Sequence, residues 1–431
     1  MNLPCTPIIS ADGHLNETAT LIERLPKRYR PFLMPKAMLR EDGKVDVDFL
    51  GNKLVLPRQK VLPQEGELTA DELMCEFRTD PTGGNDLQTR LQYLARDGVC
   101  AEVIFPNLCL ALGSTPDPEM NFTIAAAYNG WIHDIVSTMP ERFVGVGIVP
   151  VDDLEQAVVE VERCAKLGLR SVMLPCSFPW RPYDRPEYER LWSAIADLGL
   201  VLNFHTFTGN LYMGADFVAL DAVTPEDFGR RVAAMGQLDY RYERLSTSVI
   251  GMAAGMGPIV HLTGSGVLER HPTLRFVVTE AEGGWLAWVL QSMDAMQDRR
   301  RLSLEPLRER ASDYFRRQGA ITITDDAVAL HNLNFTGAEC ILWGSDYPHD
   351  EGTYPQSVRV FEAIRQHTTP EQAEAILAGN AARFYGFDLA KLAGGAAALT
   401  KSFETAPCQA ESRSQPGYRP PVNFRCTSQV P

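Results

Sequence analysis

Eight short apolar runs rich in Val, Ile and Phe recur along the chain, at 8–12, 101–105, 143–149, 171–174, 200–205, 275–280, 320–324 and 340–346. Longer segments between them, at 86–97, 121–139, 154–167, 186–198, 257–270 and 370–384, carry apolar positions at helical spacing. A strand buried on both faces reads as a continuous apolar run, and its alternation with crossover helices marks a parallel sheet. Eight such strands close a (β/α)₈ TIM barrel. An open doubly wound sheet is the rival, but it calls for a Gly-rich turn after the first strand, where Asp12-Gly13-His14 stands instead. The predicted fold class is therefore α/β, a TIM barrel.

Two connections exceed a simple turn: 15–98 after strand one and 206–256 after strand five. Long ordered loops usually carry function, and both leave from strand C-terminal ends, where barrel active sites lie. They are expected to roof the pocket. The first holds a Pro-flanked stretch, 26–35, and a polar stretch, 41–78, with the character of a small hairpin. From residue 390 the chain turns rich in Ala, Gly, Ser, Pro and Gln and loses periodicity. The expected organisation is one barrel over 1–390, with 15–98 as an insertion, and an extended or flexible tail over 391–431. Length does not force a split: 431 residues, 45% of them hydrophobic, suit a single large core.

The net charge of -14 opposes nucleic-acid binding, which needs surplus Lys and Arg, and points to a small-molecule substrate. No apolar stretch approaches the ~18 residues of a membrane span, and the first residues, MNLPCTPIISADGH, lack the basic and apolar regions of a secretory signal. Nine scattered cysteines without a CxxC pair suggest neither a disulfide framework nor a cysteine zinc knuckle. The expected setting is a reducing cytoplasm.

Polar residues at the strand ends carry the chemistry. Asp12 and His14 sit one residue apart at the end of the first strand, where alternation turns both to one side. His205 closes the fifth apolar run and Asp346 the eighth. Each alone is as well explained by a local structural role, a backbone cap or a turn start. Together, ligands from strands one, five and eight converge on the barrel axis. Two imidazoles and two carboxylates suit Zn²⁺ or Mn²⁺, and a carboxylate in place of a third imidazole shifts the balance toward manganese.

The segments SADGH at 10–14, DGVCAEVIFP at 97–106, RFVGVGIVP at 142–150, NFH at 203–205, LTGSGVLERHPTLRFVVTEAEGGWL at 262–286, WGSDYPH at 343–349 and GNAARFYGF at 379–387 resemble the amidohydrolase-related family. That family includes aminocarboxymuconate semialdehyde decarboxylase and the resorcylate-type decarboxylases. The resemblance runs from about Ile8 to Phe387. It implies one divalent metal ion held by Asp12, His14, His205 and Asp346, and it suggests a homodimer. Its first ligand slot varies among His, Glu and Asp, so Asp12 is an allowed departure. At the end of strand six the decarboxylases often carry a catalytic His, and here Glu280 stands. Asp346, Glu280 and His349 are the catalytic candidates, His349 either orienting Asp346 or touching substrate. His133 and His271 read as structural. Trp180, Trp285 and Phe207 are candidate pocket walls, with core packing the simpler account of Trp285.

Two reactions suit such a site. A non-oxidative decarboxylase of a small carboxylated aromatic or diene substrate needs an acid, such as Asp346, to protonate the carbon that loses carbon dioxide. A hydrolase of an amide, ester, lactone or carbon–carbon bond needs a metal-activated water and a base. The resemblance favours the first, and Glu280 in place of His favours the second. A barrel that only binds is the third reading, opposed by the presence of all four ligand types.

Overall fold

The structure is a computed structural model and describes residues 7–34, 36–39, 45–49, 52–56, 67–68, 86–112, 117–177, 182–209, 249–300, 307–349 and 351–393. All eight apolar runs form strands: β1 Ile8–Ser10, β2 Val99–Pro106, β3 Phe143–Ile148, β4 Ser171–Ser177, β5 Val201–Gly209, β6 Arg275–Thr279, β7 Gly319–Ile323 and β8 Ile341–Trp343. Each pairs in parallel with its neighbour in sequence, from β1 to β8. Among the described residues, no ladder joins β8 back to β1. Single bonds close that seam instead: Ala11 N to Trp343 O at 2.9 Å, Asp346 N to Asp12 O at 3.1 Å and His14 N to Tyr347 O at 2.7 Å. The result is a nearly closed barrel of parallel strands wrapped by helices.

Local signals set the helix ends. Asp86, Asp117 and Asp153 each accept from amides of the following first turn, satisfying donors that a helix start leaves open. Pro118 stands at the first position of Pro118–Val136, where its missing N–H is no loss. Gly168, at φ 95°, ends Leu154–Leu167 in the left-handed region. Two predicted helices are interrupted. The segment 257–270 becomes Met256–Gly264 and Val267–Arg270, divided where Gly266 takes φ 75°, and 370–384 contains a π-helical turn at Ala375–Gly379. Among the described residues, no helix is long and apolar enough to cross a membrane.

The long segment after β1 is more ordered than a hairpin. Lys36–Leu39, Val45–Phe49, Asn52–Leu56 and Glu67–Leu68 form a four-stranded antiparallel sheet in the order 52–56, 45–49, 36–39, 67–68. Residues 210–248 of the segment after β5, and the tail from 394, lie outside the described residues.

At the seam the backbones come very close. A Cβ added to Gly344 would stand 2.5 Å from the Asp12 Cβ and 3.3 Å from its amide nitrogen. Gly344→Ala is therefore expected to lower unfolding free energy by ~1–3 kcal/mol, the usual effect of overpacking a full site. Denaturant unfolding checks this, and a variant as stable as the wild type would mean that the seam is looser than described.

Candidate metal centre

β1 stops at Ser10, and Asp12 lies in the turn beyond it. His14 and Leu15 then resume pairing, with Phe105 and Pro106 of β2. The expected strand over 8–12 is thus interrupted, because Ser10 Oγ turns back to the Asp12 carbonyl at 2.6 Å and Ala11 N bonds to Trp343. Strand eight likewise ends at Trp343, three residues before Asp346, and strand six at Thr279, one before Glu280.

Glu280 and Asp346 leave their strands in the left-handed region, at φ 56° and 54°. That conformation is costly for residues with a Cβ and persists only where neighbours hold it. For Glu280 the holders are two hydroxyls: Thr206 Oγ1 donates to its carbonyl and Thr322 Oγ1 accepts from its amide, each at 2.8 Å. For Asp346 they are the Asp12 carbonyl, which accepts from its amide, and the 2.9 Å bond from His349 N to its own carbonyl.

The two histidines are oriented from behind. His14 Nδ1 lies 2.7 Å from the Pro106 carbonyl, and His205 Nδ1 lies 2.8 Å from the Thr206 carbonyl. A carbonyl only accepts, so each Nδ1 carries the hydrogen, and in the neutral ring, the form that ligates a metal, each Nε2 presents a lone pair. Those Nε2 atoms meet carboxylates: His14 Nε2 is 3.7 Å from Asp12 Oδ1 and 3.2 Å from Asp346 Oδ1, and His205 Nε2 is 3.6 Å from Asp12 Oδ1 and 3.3 Å from Glu280 Oε2. Between a neutral imidazole and an ionised carboxylate, lone pair faces lone pair and no hydrogen bond forms. Asp12 Oδ1 and Oδ2, His14 Nε2 and His205 Nε2 are all buried without a hydrogen-bond partner.

Buried polar atoms left so are rare and expensive, and four pointing at one another call for a cation between them. Ligand atoms of Asp12, His14, His205 and Glu280 all lie within 4.8 Å of one another. The donor set fits a divalent ion of the Zn²⁺ or Mn²⁺ kind. Asp346 groups within the same span with His14 and His349, and separately with Glu280 and Glu351. The four-membered set thus holds Glu280 in the place where sequence reasoning put Asp346. All six candidates, Asp12, His14, His205, Glu280, Asp346 and His349, nonetheless share one mouth.

Electrostatics divides the acids. Burial, with the charges of Asp346 and Asp12 behind it, pushes the Glu280 carboxyl well above its ordinary range. Burial also opposes ionisation of Asp346, but His349 and His14 outweigh it and hold that carboxyl below its usual value. His349 gives its Nδ1 hydrogen to Asp346 Oδ1 at 2.8 Å. Burial disfavours its charge, yet the Asp346 carboxylate lifts it to about 9. For His14, burial and the nearby His349 lower the pKa against the pull of Asp346, which keeps its lone pair free.

The other described candidates have partners of their own. His271 Nε2 pairs with Glu189 Oε1 at 2.8 Å, Trp285 Nε1 donates to the Ala281 carbonyl while its ring packs on the core, and the Phe207 ring lies against Gly251. Trp180 lies outside the described residues. Sequence reading passed over the supports: Thr206 and Thr322 behind Glu280, and the buried pair Arg90–Glu102 behind His14. Glu102 had a readable signal, since a charge inside the apolar run 101–105 must find a buried partner.

Fold and site together define a (β/α)₈ barrel with a polar, cation-ready mouth at the C-terminal ends of its strands. The chain belongs to the amidohydrolase family, whose model matches residues 14–387. It is 23% identical over 318 residues to 2-amino-3-carboxymuconate-6-semialdehyde decarboxylase of Dictyostelium discoideum, covering 72% of this chain and 80% of that one. An amidohydrolase structure from Mycobacterium avium subsp. paratuberculosis superposes with TM-score 0.63 at 17% identity, over 88% of this chain and 99% of the other. A dihydroxybenzoic acid decarboxylase from Polaromonas, solved with manganese and 2-nitroresorcinol, superposes with TM-score 0.56 at 16% identity, over 88% and 97%.

Proposed function

We propose that this chain is a metal-dependent carbon–carbon lyase that removes carbon dioxide from a small carboxylated aromatic or diene substrate. One observation carries the reading: two buried imidazole lone pairs without partners face Asp12 and Glu280, beside an Asp346–His349 pair that holds a proton. The decarboxylases among the similar proteins support the choice of reaction, and the manganese in one of them supports the choice of ion.

Asp12, His14 and His205 would hold the ion, with Glu280 or Asp346 completing the set. When bound, it supplies positive charge against the substrate carboxylate and a neighbouring oxygen. The protein supplies the proton. Breaking the carbon–carboxylate bond leaves an electron pair on carbon, and one proton must replace the departing carbon dioxide. His349 Nδ1 holds that proton against Asp346 Oδ1, which receives it and passes it to carbon. Burial of His14, His205 and Asp12 keeps bulk water from competing.

A second reading, hydrolysis, is favoured by Glu280 itself, a carboxylate able to take a proton from an attacking water. Product analysis separates the two. Protein loaded with Mn²⁺ or Zn²⁺ and given hydroxybenzoates, carboxylated dienes and lactones is expected to release carbon dioxide from a carboxylated member and to stop on chelation. Ring-opened or hydrolysed product without carbon dioxide would replace lyase by hydrolase. No turnover together with no bound ion would favour a barrel that only binds.

A further inference from the structure

We propose that Arg90, through its buried pair with Glu102, is a positioning residue that fixes the spacing between the Asp12-Gly13-His14 turn and Asp346. Its consequence for cation binding rests on the function proposed above, whereas the spacing itself does not.

Both side chains are fully buried. Arg90 Nε donates to Glu102 Oε2 at 2.6 Å and Nη2 to Oε1 at 3.0 Å, a two-pronged grip that only a planar guanidinium makes. Its remaining donors leave the pair altogether. Nη1 donates to the His14 carbonyl at 2.8 Å and Nη2 to the Tyr347 carbonyl at 3.0 Å, and the guanidinium lies 4.7 Å over the Tyr347 ring. One of these is the backbone carbonyl of His14 and the other that of the residue directly after Asp346. The guanidinium therefore spans the β8–β1 seam, where no ladder runs among the described residues, at the level of the site.

Gly13 supplies a second, independent observation. A Cβ there would fall 2.1 Å from Glu102 Oε1 and 3.1 Å from Arg90 Nη2. The pair thus fills the space beside residue 13, and the turn that aims Asp12 and His14 is moulded against it. Fold stability alone does not require this arrangement, because a well-packed apolar pair stabilises a barrel wall as well as a buried ion pair does. What an apolar pair cannot do is hold two carbonyls at a set separation. A lysine, a single point donor, cannot hold both while gripping Glu102.

The test uses the full chain and two variants, Arg90→Lys and the double replacement Arg90→Met with Glu102→Leu, which leaves no unpaired buried charge. Crystal structures read the distance from His14 Nε2 to Asp346 Oδ1, now 3.2 Å, and calorimetric titration reads Mn²⁺ binding. In both variants that distance is expected to change by more than the ~0.5 Å within which a working site is held. Mn²⁺ affinity is expected to fall ~10–100-fold, as it does when the support behind a ligand is lost. Unchanged spacing and affinity in folded variants would overturn the proposal and leave Arg90 a wall residue. If the double variant does not fold, Arg90→Lys decides on the same two measurements. If the wild type itself takes up neither Mn²⁺ nor Zn²⁺, the metal-dependent reading fails, and the crystallographic spacing still decides the role of Arg90.

Discussion

His205→Asn is expected to remove tight divalent-cation binding while leaving the barrel folded. His205 is fully buried midway along β5, at the last residue that β5 pairs with β6, in a strand flanked by ladders on both sides that do not depend on its imidazole. Asparagine keeps a polar group of smaller size there, so far-ultraviolet circular dichroism should match the wild type. What it loses is the Nε2 lone pair that faces Asp12 Oδ1 at 3.6 Å and Glu280 Oε2 at 3.3 Å. Without it, two acids face each other with one fewer neutral donor between them. Loss of a support behind a ligand lowers metal affinity ~10–100-fold, and loss of the ligand itself should exceed that range. Titration with Mn²⁺, followed by calorimetry or by the free-ion paramagnetic resonance signal, measures it. A folded variant that binds Mn²⁺ as the wild type does would take His205 out of the ligand set and weaken the reading that four buried, partnerless atoms mark a cation.

The barrel was legible in sequence because its signal is collective. Eight apolar runs, each too short to identify alone, alternate with helical segments, and all eight form the predicted parallel strands. Several helices were missed, among them Ser357–His367, although its buried Val360, Phe361 and Ile364 share one face. Leu286–Arg300 leaves Trp288 64% and Met296 47% exposed, so its hydrophobic residues do not sort onto one face. Ala311–Gln318 is short and mostly polar, held by the burial of Tyr314 and Phe315 that only the packed chain creates.

The site divides along the same line. Asp12, His14, His205, Glu280, Asp346 and His349 could be named from strand ends and motifs, because topology fixes where strand ends go. How they would share the work could not. The partition depends on left-handed conformations at Glu280 and Asp346, which move each acid off the end of its strand, and on hydroxyls contributed by neighbouring strands. Glu280 enters the four-membered cluster for this reason. No spacing in sequence encodes a residue's φ.

Asp346→Asn separates proton handling from cation binding. The amide oxygen of asparagine can still accept from His349 Nδ1, as Asp346 Oδ1 does at 2.8 Å, and the turn is held by backbone bonds that the change does not touch. The fold should therefore persist. An amide, however, neither takes up nor gives a proton near neutral pH, and it provides no negative charge to support the imidazolium. Two effects follow. First, the turnover number should fall ~10²–10⁴-fold, the usual contribution of a positioned acid or base. Second, His349 should change its titration. Burial lowers its pKa, and the charge and hydrogen bond of Asp346, helped by the charges of Glu351 and Asp12, lift it to about 9. With that charge gone, the largest upward pull is lost while those of Glu351 and Asp12 remain, so His349 in the metal-free variant should titrate clearly below its wild-type value and lose its proton at lower pH than in the wild type. Nitrogen-15 spectra of the histidines, recorded across pH on metal-free protein, read this directly. Near-normal turnover would remove Asp346 from the proton path whatever the spectra say. Lost turnover with an unmoved His349 would leave Asp346 as a ligand or substrate contact and break the proposed relay between the two residues.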